Sequence, residues 1–335
     1  MVEVDGSAGG GQILRTSLAL SMLSGKSVTV ENVRGDRPEP GLRHQHLAAV
    51  EAAAAVSDAV VEGADLGSER VAFEPGEPRG GRYEVTIDTA GSLTLVFDTI
   101  WPVATVLEEP LTLTATGGTD VKWSPTMAFC RRVKLPLLRE HGLAVAVDVG
   151  RPGFYPAGGG RATLGLWPSS LSPVRLGGGT GVEARVYSLA SESLADPDVA
   201  ARQADTAASG LADLGVETTR REVAYAAADS PGSSLVVGLE GEGIRAGFDA
   251  LGEPGKPAED VATDAVADVE TWVETPAAVD EHLADQLVVA LALGGGRVAT
   301  PRVTDHVETN LAVLEAFGYD CSVVNRNGQV VLRNE

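Results

Sequence analysis

The segment Thr304-Asp305-His306-Val307-Glu308-Thr309-Asn310 sets a histidine beside an acid at the head of an apolar run. That arrangement predicts a helix N-terminus, where the helix dipole disfavours imidazolium and keeps the ring neutral. A neutral imidazole so placed can act as a nucleophile, and the helix terminus can stabilise a phosphoryl group once it is attached. Most lone histidines are structural, and periodicity alone does not separate this one from them.

Other segments carry compatible chemistry. Asp5-Gly6-Ser7-Ala8-Gly9-Gly10-Gly11-Gln12 precedes a helix expected from Ile13, so backbone N–H groups and a positive helix end lie close together, which suits phosphate. It lacks the Gly-Lys-Ser/Thr ending of a Walker loop, and a plain tight turn fits it about equally well. From Arg34 to His46 the chain packs Arg34, Arg37, Arg43, His44 and His46 into a loop kept irregular by Pro38, Pro40 and Gly41. Guanidiniums converging there would grip phosphate as bidentate donors. The run Trp123-Ser124-Pro125-Thr126-Met127-Ala128-Phe129 has apolar and aromatic groups around a turn that could sandwich a purine, although core packing explains them better when they are taken alone. Gly153-Phe154-Tyr155-Pro156-Ala157-Gly158-Gly159-Gly160 reads as a hairpin. In Glu281-His282-Leu283-Ala284-Asp285-Gln286-Leu287, Asp285 and Gln286 emerge from a helical pattern either as cleft contacts or as a solvated face.

The elements that must position these groups repeat. A helix-length segment, a glycine and a β-rich stretch recur three times: 46–56 before 59–63, 129–138 before 143–147, and 306–317 before 319–324. Each copy follows an earlier apolar helical segment, at 13–23, 92–106 and 279–293. The pattern predicts an α/β (α+β) fold of three repeated units, with helices packed on one face of small sheets. Between roughly 180 and 275 the texture changes to strands near 182–187 and 234–238 and an acidic helix from Asp196 to Leu214, marking a small α/β domain inserted into the third repeat. The expected division is 1–180 with 276–335 for the large domain and 181–275 for the insert.

Composition bounds the partners. The 335 residues, 44% of them hydrophobic, suffice for one or two cores, and no apolar run reaches the roughly 20 residues that span a bilayer. The expectation is a cytoplasmic chain with no membrane association. Cys130 and Cys321 lack histidines at a ligand spacing and are expected as two buried free thiols. The formal charge of −21 argues against a nucleic-acid partner at first sight. Only four lysines accompany 22 arginines, however, and acids are spread along the whole chain, as in proteins of salt-rich cytoplasm. Concentrated salt screens exposed charge within a few ångströms, so a local arginine cluster says more about partners than the total does.

Together these segments resemble the RNA 3′-terminal phosphate cyclase family over nearly the whole chain. The shared motifs run in order: residues 5–15 ending Gln12-Ile13-Leu14-Arg15; Arg37-x-x-Pro40-Gly41-Leu42 with Gln45-His46-Leu47; Ala90-Gly91-Ser92-x-Thr94-Leu95; Gly117-Gly118-Thr119-Asp120; 153–160; Leu283-Ala284-Asp285-Gln286-Leu287; and His306-x-x-Thr309-Asn310. The resemblance implies three β-α-β-α-β-β units plus an inserted α/β domain. It also implies a ligase that converts an RNA 3′-phosphate to a 2′,3′-cyclic phosphate at the expense of ATP, through a histidine–AMP adduct on His306 and an RNA-3′-pp-5′-A intermediate. Arg15, Arg37 and Gln45 then become phosphate-site residues, Asp285 and Gln286 lie at the nucleotide, and Pro125 and Phe129 match the adenine sandwich. ATP, Mg2+ or Mn2+ and an RNA with a 3′-phosphate end are the implied ligands, and a homodimer is an open assembly. The family's glycine-rich loop usually carries a metal-contacting glutamate, but here the loop is two residues short. Asp98, where relatives commonly have glutamine, is the candidate replacement metal ligand, and His282 stands where a tyrosine can occur.

Two rivals differ in class. A non-catalytic cyclase-like ribosome-assembly protein would be expected to lack the nucleophile, so His306 opposes it and the absent glutamate favours it. An enolpyruvyl transferase shares a repeated fold, but the insert and the His-x-x-Thr-Asn segment disfavour it.

Overall fold

The computed structural model describes residues 1–8, 10–326 and 328–334; Gly9, part of the expected phosphate loop, lies outside them. The first unit runs β1 (Val2–Asp5), α1 (Gly11–Ser24), β2 (Val28–Glu31), α2 (His44–Ser57), β3 (Val60–Glu62) and β4 (Val71–Glu74). The second runs β5 (Gly81–Thr86), α3 (Leu93–Ile100), β6 (Leu111–Gly117), a helix built from α4 (Met127–Phe129), a π-helical stretch (Cys130–Lys134) and α5 (Leu135–Glu140), then β7 (Val145–Arg151) and β8 (Gly160–Leu166). The third opens with β9 (Val174–Leu176) and is interrupted by β10 (Glu183–Ser191), α6 (Val199–Asp213), β11 (Glu217–Ala226), β12 (Ser233–Gly241), β13 (Ile244–Leu251) and α7 (Ala258–Val273). It resumes with α8 (Glu281–Gly294), β14 (Gly296–Thr300), α9 (Asp305–Phe317), β15 (Ser322–Arg326) and β16 (Gln329–Asn334).

Strand pairing gives the three units one topology. Their sheets are ordered β1-β2-β4-β3, β5-β6-β8-β7 and β9-β14-β16-β15. In each, the first two strands are parallel and the other two pairings are antiparallel. A parallel pair needs a long crossover, here supplied by a helix, whereas the antiparallel pairs close locally. The third crossover holds β10 to β13 with α6 and α7 between β9 and α8. The insert forms its own sheet, β11-β10-β12-β13, covered by α6 and α7.

Helix burial follows position. Ile13, Leu14, Leu18 and Leu20 of α1 are all buried, because α1 packs against α2, α3 and α9 where the three units meet. A helix apolar on several sides belongs inside a core. The large units share one apolar cluster, while the insert closes a second around Val237, Leu239, Val261, Ala265 and Trp272. Cys130 is buried and Cys321 only partly so, and both thiols are free.

Several boundaries differ from expectation for local reasons. The helical segment expected over 92–106 is α only to Ile100 and then becomes a 3₁₀ turn over Trp101–Thr105. Pro102 cannot donate its share of the α ladder. The acidic helix starts at Val199 rather than Asp196, because Asp198 holds φ 52 at its N-cap. The last β stretch begins at Ser322, since Gly318 ends α9 at φ 92 and the chain needs a few residues to reach the sheet.

Candidate active site

One cleft of about 990 Å³ collects side chains from all three units. His306 is the second residue of α9, whose N-cap Thr304 accepts a hydrogen bond from the Val307 amide at 3.1 Å. The helix start predicted from sequence is therefore present. The imidazole is exposed to the cleft, yet its pKa lies below the ordinary value, first through desolvation and then through Arg15, Arg37 and His282, with Asp305 opposing. Its resting form near neutral pH is the uncharged ring that a nucleophile requires.

The first turn of α9 is held from behind by α1. Buried Gln12 donates from Nε2 to the His306 carbonyl at 2.5 Å and to Thr309 Oγ1 at 2.8 Å, and Thr16 donates to Asn310 Oδ1 at 2.7 Å. Thr304 also donates to Asp285 of α8 at 2.5 Å. Burial raises the Asp285 pKa to about 6 despite that bond.

The glycine loop and the arginine segment meet here. A Cβ at Gly10, which has φ 62, would come within 3.2 Å of the Arg37 guanidinium. One at Gly11 would collide with the His46 ring and crowd Arg15. Loop backbone, Arg15, Arg37 and His46 thus share one small region, and glycine is what lets them do so. Arg15 is partly buried and desolvation lowers its pKa to about 10, so it stays charged at neutral pH. Among the described residues neither Arg15 nor Arg37 has an ion-pair partner. Arg43 pairs with Glu39, Arg302 pairs with Glu281, and Arg34 donates to the carbonyls of Glu39 and Gly41. His46 is pushed down to about 3, by desolvation first and then by Arg15, Arg34 and Arg43. Its Nδ1 accepts from the Arg43 amide at 3.1 Å, so the neutral ring carries its proton on Nε2, the atom beside Gly11.

The remaining predicted residues also line the cleft but are engaged differently. Gln45 accepts the Ser92 amide at 3.2 Å and so ties α2 to the start of α3. Gln286 donates to the His282 carbonyl at 3.1 Å and leaves its Oε1 buried without a partner. Pro125 stands on the cleft wall, whereas Phe129 is only 2% exposed and offers little ring face. Asp98 accepts a hydrogen bond from buried Lys134. Among the described residues no three His, Cys, Asp or Glu side chains gather into a cation site. A carboxylate already paired with an ammonium, as Asp98 is, makes a poor ligand for a hard cation.

A family model for RNA 3′-terminal phosphate cyclase matches residues 7–321. The chain belongs to that family. A protein named RNA 3′-terminal phosphate cyclase from Halobacterium salinarum is 46% identical over 99% of both chains. Proteins of the same name from Pyrococcus furiosus and Ectopseudomonas mendocina are 40% and 38% identical, over 95% and 94% of this chain and 93% and 92% of theirs. Within this cyclase-family cleft, sequence reasoning passed over Gln12, His46, Thr304 and Asn310 as site residues. All four sit inside motifs already noted, two of them, Gln12 and Asn310, within apolar helices. Their polar character within apolar helices is the signal that could have found them, since a buried polar side chain needs a partner.

Proposed function

We propose that this chain is an ATP-dependent RNA 3′-terminal phosphate cyclase acting through a covalent histidine–AMP adduct. The observation that carries the reading is His306: a neutral imidazole at a helix N-terminus, its backbone clamped by Gln12, facing two arginines without ion-pair partners. In the first step the imidazole nitrogen attacks the α-phosphorus of ATP, an N–P bond forms and pyrophosphate leaves. An RNA 3′-phosphate oxygen then takes the adenylyl group and frees the imidazole, giving RNA-3′-pp-5′-A. Finally the vicinal 2′-OH attacks the RNA phosphorus, AMP departs, and the 2′,3′-cyclic phosphate closes. Adenylation supplies a leaving group that a phosphate monoester lacks, and the proximity of the 2′-OH lowers the barrier to closure.

Arg15 and Arg37, with His46 Nε2–H, stabilise charge on the polyphosphate. Asp285 and Gln286 face the nucleotide, and Pro125 packs on the base. A divalent ion accompanies the triphosphate, its charge adding to that of the arginines. The same reading divides the chain into 1–180 with 276–335 and an inserted domain, 181–275, for which the two separate cores are the support.

The test is incubation with α-labelled ATP and magnesium or manganese at high salt, followed by a denaturing gel. An acid-labile, alkali-stable adenylate should form on the wild type and vanish in His306→Ala. If the wild type forms none with either metal, the mechanism is wrong and the assembly-protein reading gains.

A further inference from the structure

Trp123 is the largest exposed apolar side chain of the described residues, at 96% exposure, and it stands on the mouth of the cleft. Its backbone adopts φ 63 in the turn after Val121, a left-handed conformation that bulky side chains rarely take and that turns usually give to glycine or asparagine. Such strain persists only where the surroundings hold it. The surroundings do hold it. Ser124 Oγ donates to the Val121 carbonyl at 3.0 Å across the turn, Lys122 pairs with Glu253 of the insert at 2.9 Å, and Asp249 of β13 accepts the Thr126 amide at 2.7 Å. The loop is braced on both sides, yet its indole packs on nothing. Pro125 and Phe129, the groups matched to adenine, lie deeper in the same wall. Lys122 is committed to Glu253 and is not free to take a phosphate.

Resting on the proposed function, we propose that Trp123 is the stacking platform for the terminal base of the RNA, presenting its ring where a 3′ end enters the cleft from solvent. Stacking on an indole is tolerant of base identity, which suits a site that acts on ends rather than on sequences.

The experiment measures His306 adenylation with labelled ATP and, separately, cyclisation of short 3′-phosphorylated RNAs. The proteins compared are wild type, Trp123→Ala, Trp123→Phe and Trp167→Ala, the last altering a half-exposed tryptophan away from the cleft lining. Removing the platform should raise the RNA KM of Trp123→Ala by roughly tenfold, the scale of one lost base stack. The adenylation rate should suffer at least five times less, Trp123→Phe should recover most of the loss, and Trp167→Ala should behave as wild type. An unchanged RNA KM in Trp123→Ala overturns the proposal, as does a loss confined to the ATP step, which would assign the ring to adenine. If wild-type protein forms no adenylate at all, it is the proposed function that falls, and the two failures are distinguishable.

Discussion

Gln12 offers the sharpest test of how the nucleophile is positioned. Its side-chain amide, 7% exposed on α1, makes the two bonds that fix the first turn of α9, at 2.5 Å to the His306 carbonyl and 2.8 Å to Thr309 Oγ1. Each such bond contributes about 0.5–1.5 kcal/mol net. Thr309 Oγ1 also donates to the carbonyls of Asp305 and His306, so no acceptor is orphaned when Gln12 is lost, and about 1–2 kcal/mol in total is the reasonable figure. α1 is anchored by its own buried leucines, so the loosening falls on α9 and on His306. If that free energy is lost from the transition state alone, Gln12→Met, which keeps the volume without the donors, should form adenylate about 5- to 30-fold more slowly. Single-turnover labelling at saturating ATP measures this, and a melting curve on the same samples should move by only a few degrees. Wild-type adenylation in Gln12→Met, or a loss that vanishes at saturating ATP, would refute the positioning argument.

Two further predictions follow from charge. Neutral imidazole is the reactive form of His306 and its pKa lies below the ordinary 6.5, so adenylation should stay active down through pH 6.5. Arg37→Met removes one cause of the depression, and its acid limb should move to higher pH in single-turnover pH–rate profiles; an unmoved limb would count against Arg37 facing the ring. Asp120 is buried, accepts a hydrogen bond from Thr119 Oγ1 at 2.6 Å, and has a pKa raised to about 6 chiefly by burial. A carboxyl whose folded pKa is raised favours the fold below its unfolded value near 3.8, and that advantage is lost as pH climbs through 6. Asp120→Asn should therefore be more stable than wild type by about 1–2 kcal/mol at pH 8, with the gap closing by pH 4, as denaturant titrations at the two pH values would reveal.

The sequence carries its repeats openly because each helix has a start and a stop written in local chemistry. Gly318 ends α9 at φ 92 as the helix-glycine-strand pattern suggests, and His306 lies at a helix start because Thr304 can cap it. The less legible parts depend on partners far along the chain. β11 runs Glu217-Thr218-Thr219-Arg220-Arg221-Glu222, a polar edge strand with no alternation to betray it, and only its pairing with β10 makes it a strand. Gln12 meets Thr309 across 297 residues, and His46 meets Gly11 only because α1 and α2 of the first unit pack against each other. Asp98 is a candidate metal ligand through the family resemblance, and nothing near it in sequence announces that Lys134, at the end of the π-helical stretch, lies against it.

The same dependence on pairing resolves the conflict between a charge of −21 and a polyanionic substrate. Five arginines line the cleft, but Arg43, Arg302 and Arg34 already satisfy Glu39, Glu281 and backbone carbonyls. What remains to meet a phosphate is Arg15 and Arg37, joined by the Nε2–H of His46, which burial first and then Arg15, Arg34 and Arg43 keep neutral. In concentrated salt the screening length shrinks to about 3 Å, so the acidic exterior ceases to repel an incoming anion at any distance. Contact pairs inside a partly desolvated cleft are screened far less. Affinity for ATP or an RNA end is then decided by which cations are unpaired at the site, and net charge is left to govern solubility. The repeated architecture makes that separation possible, because α1 and α2 of the first unit and α9 of the third bring their polar ends together at one cleft where the units meet.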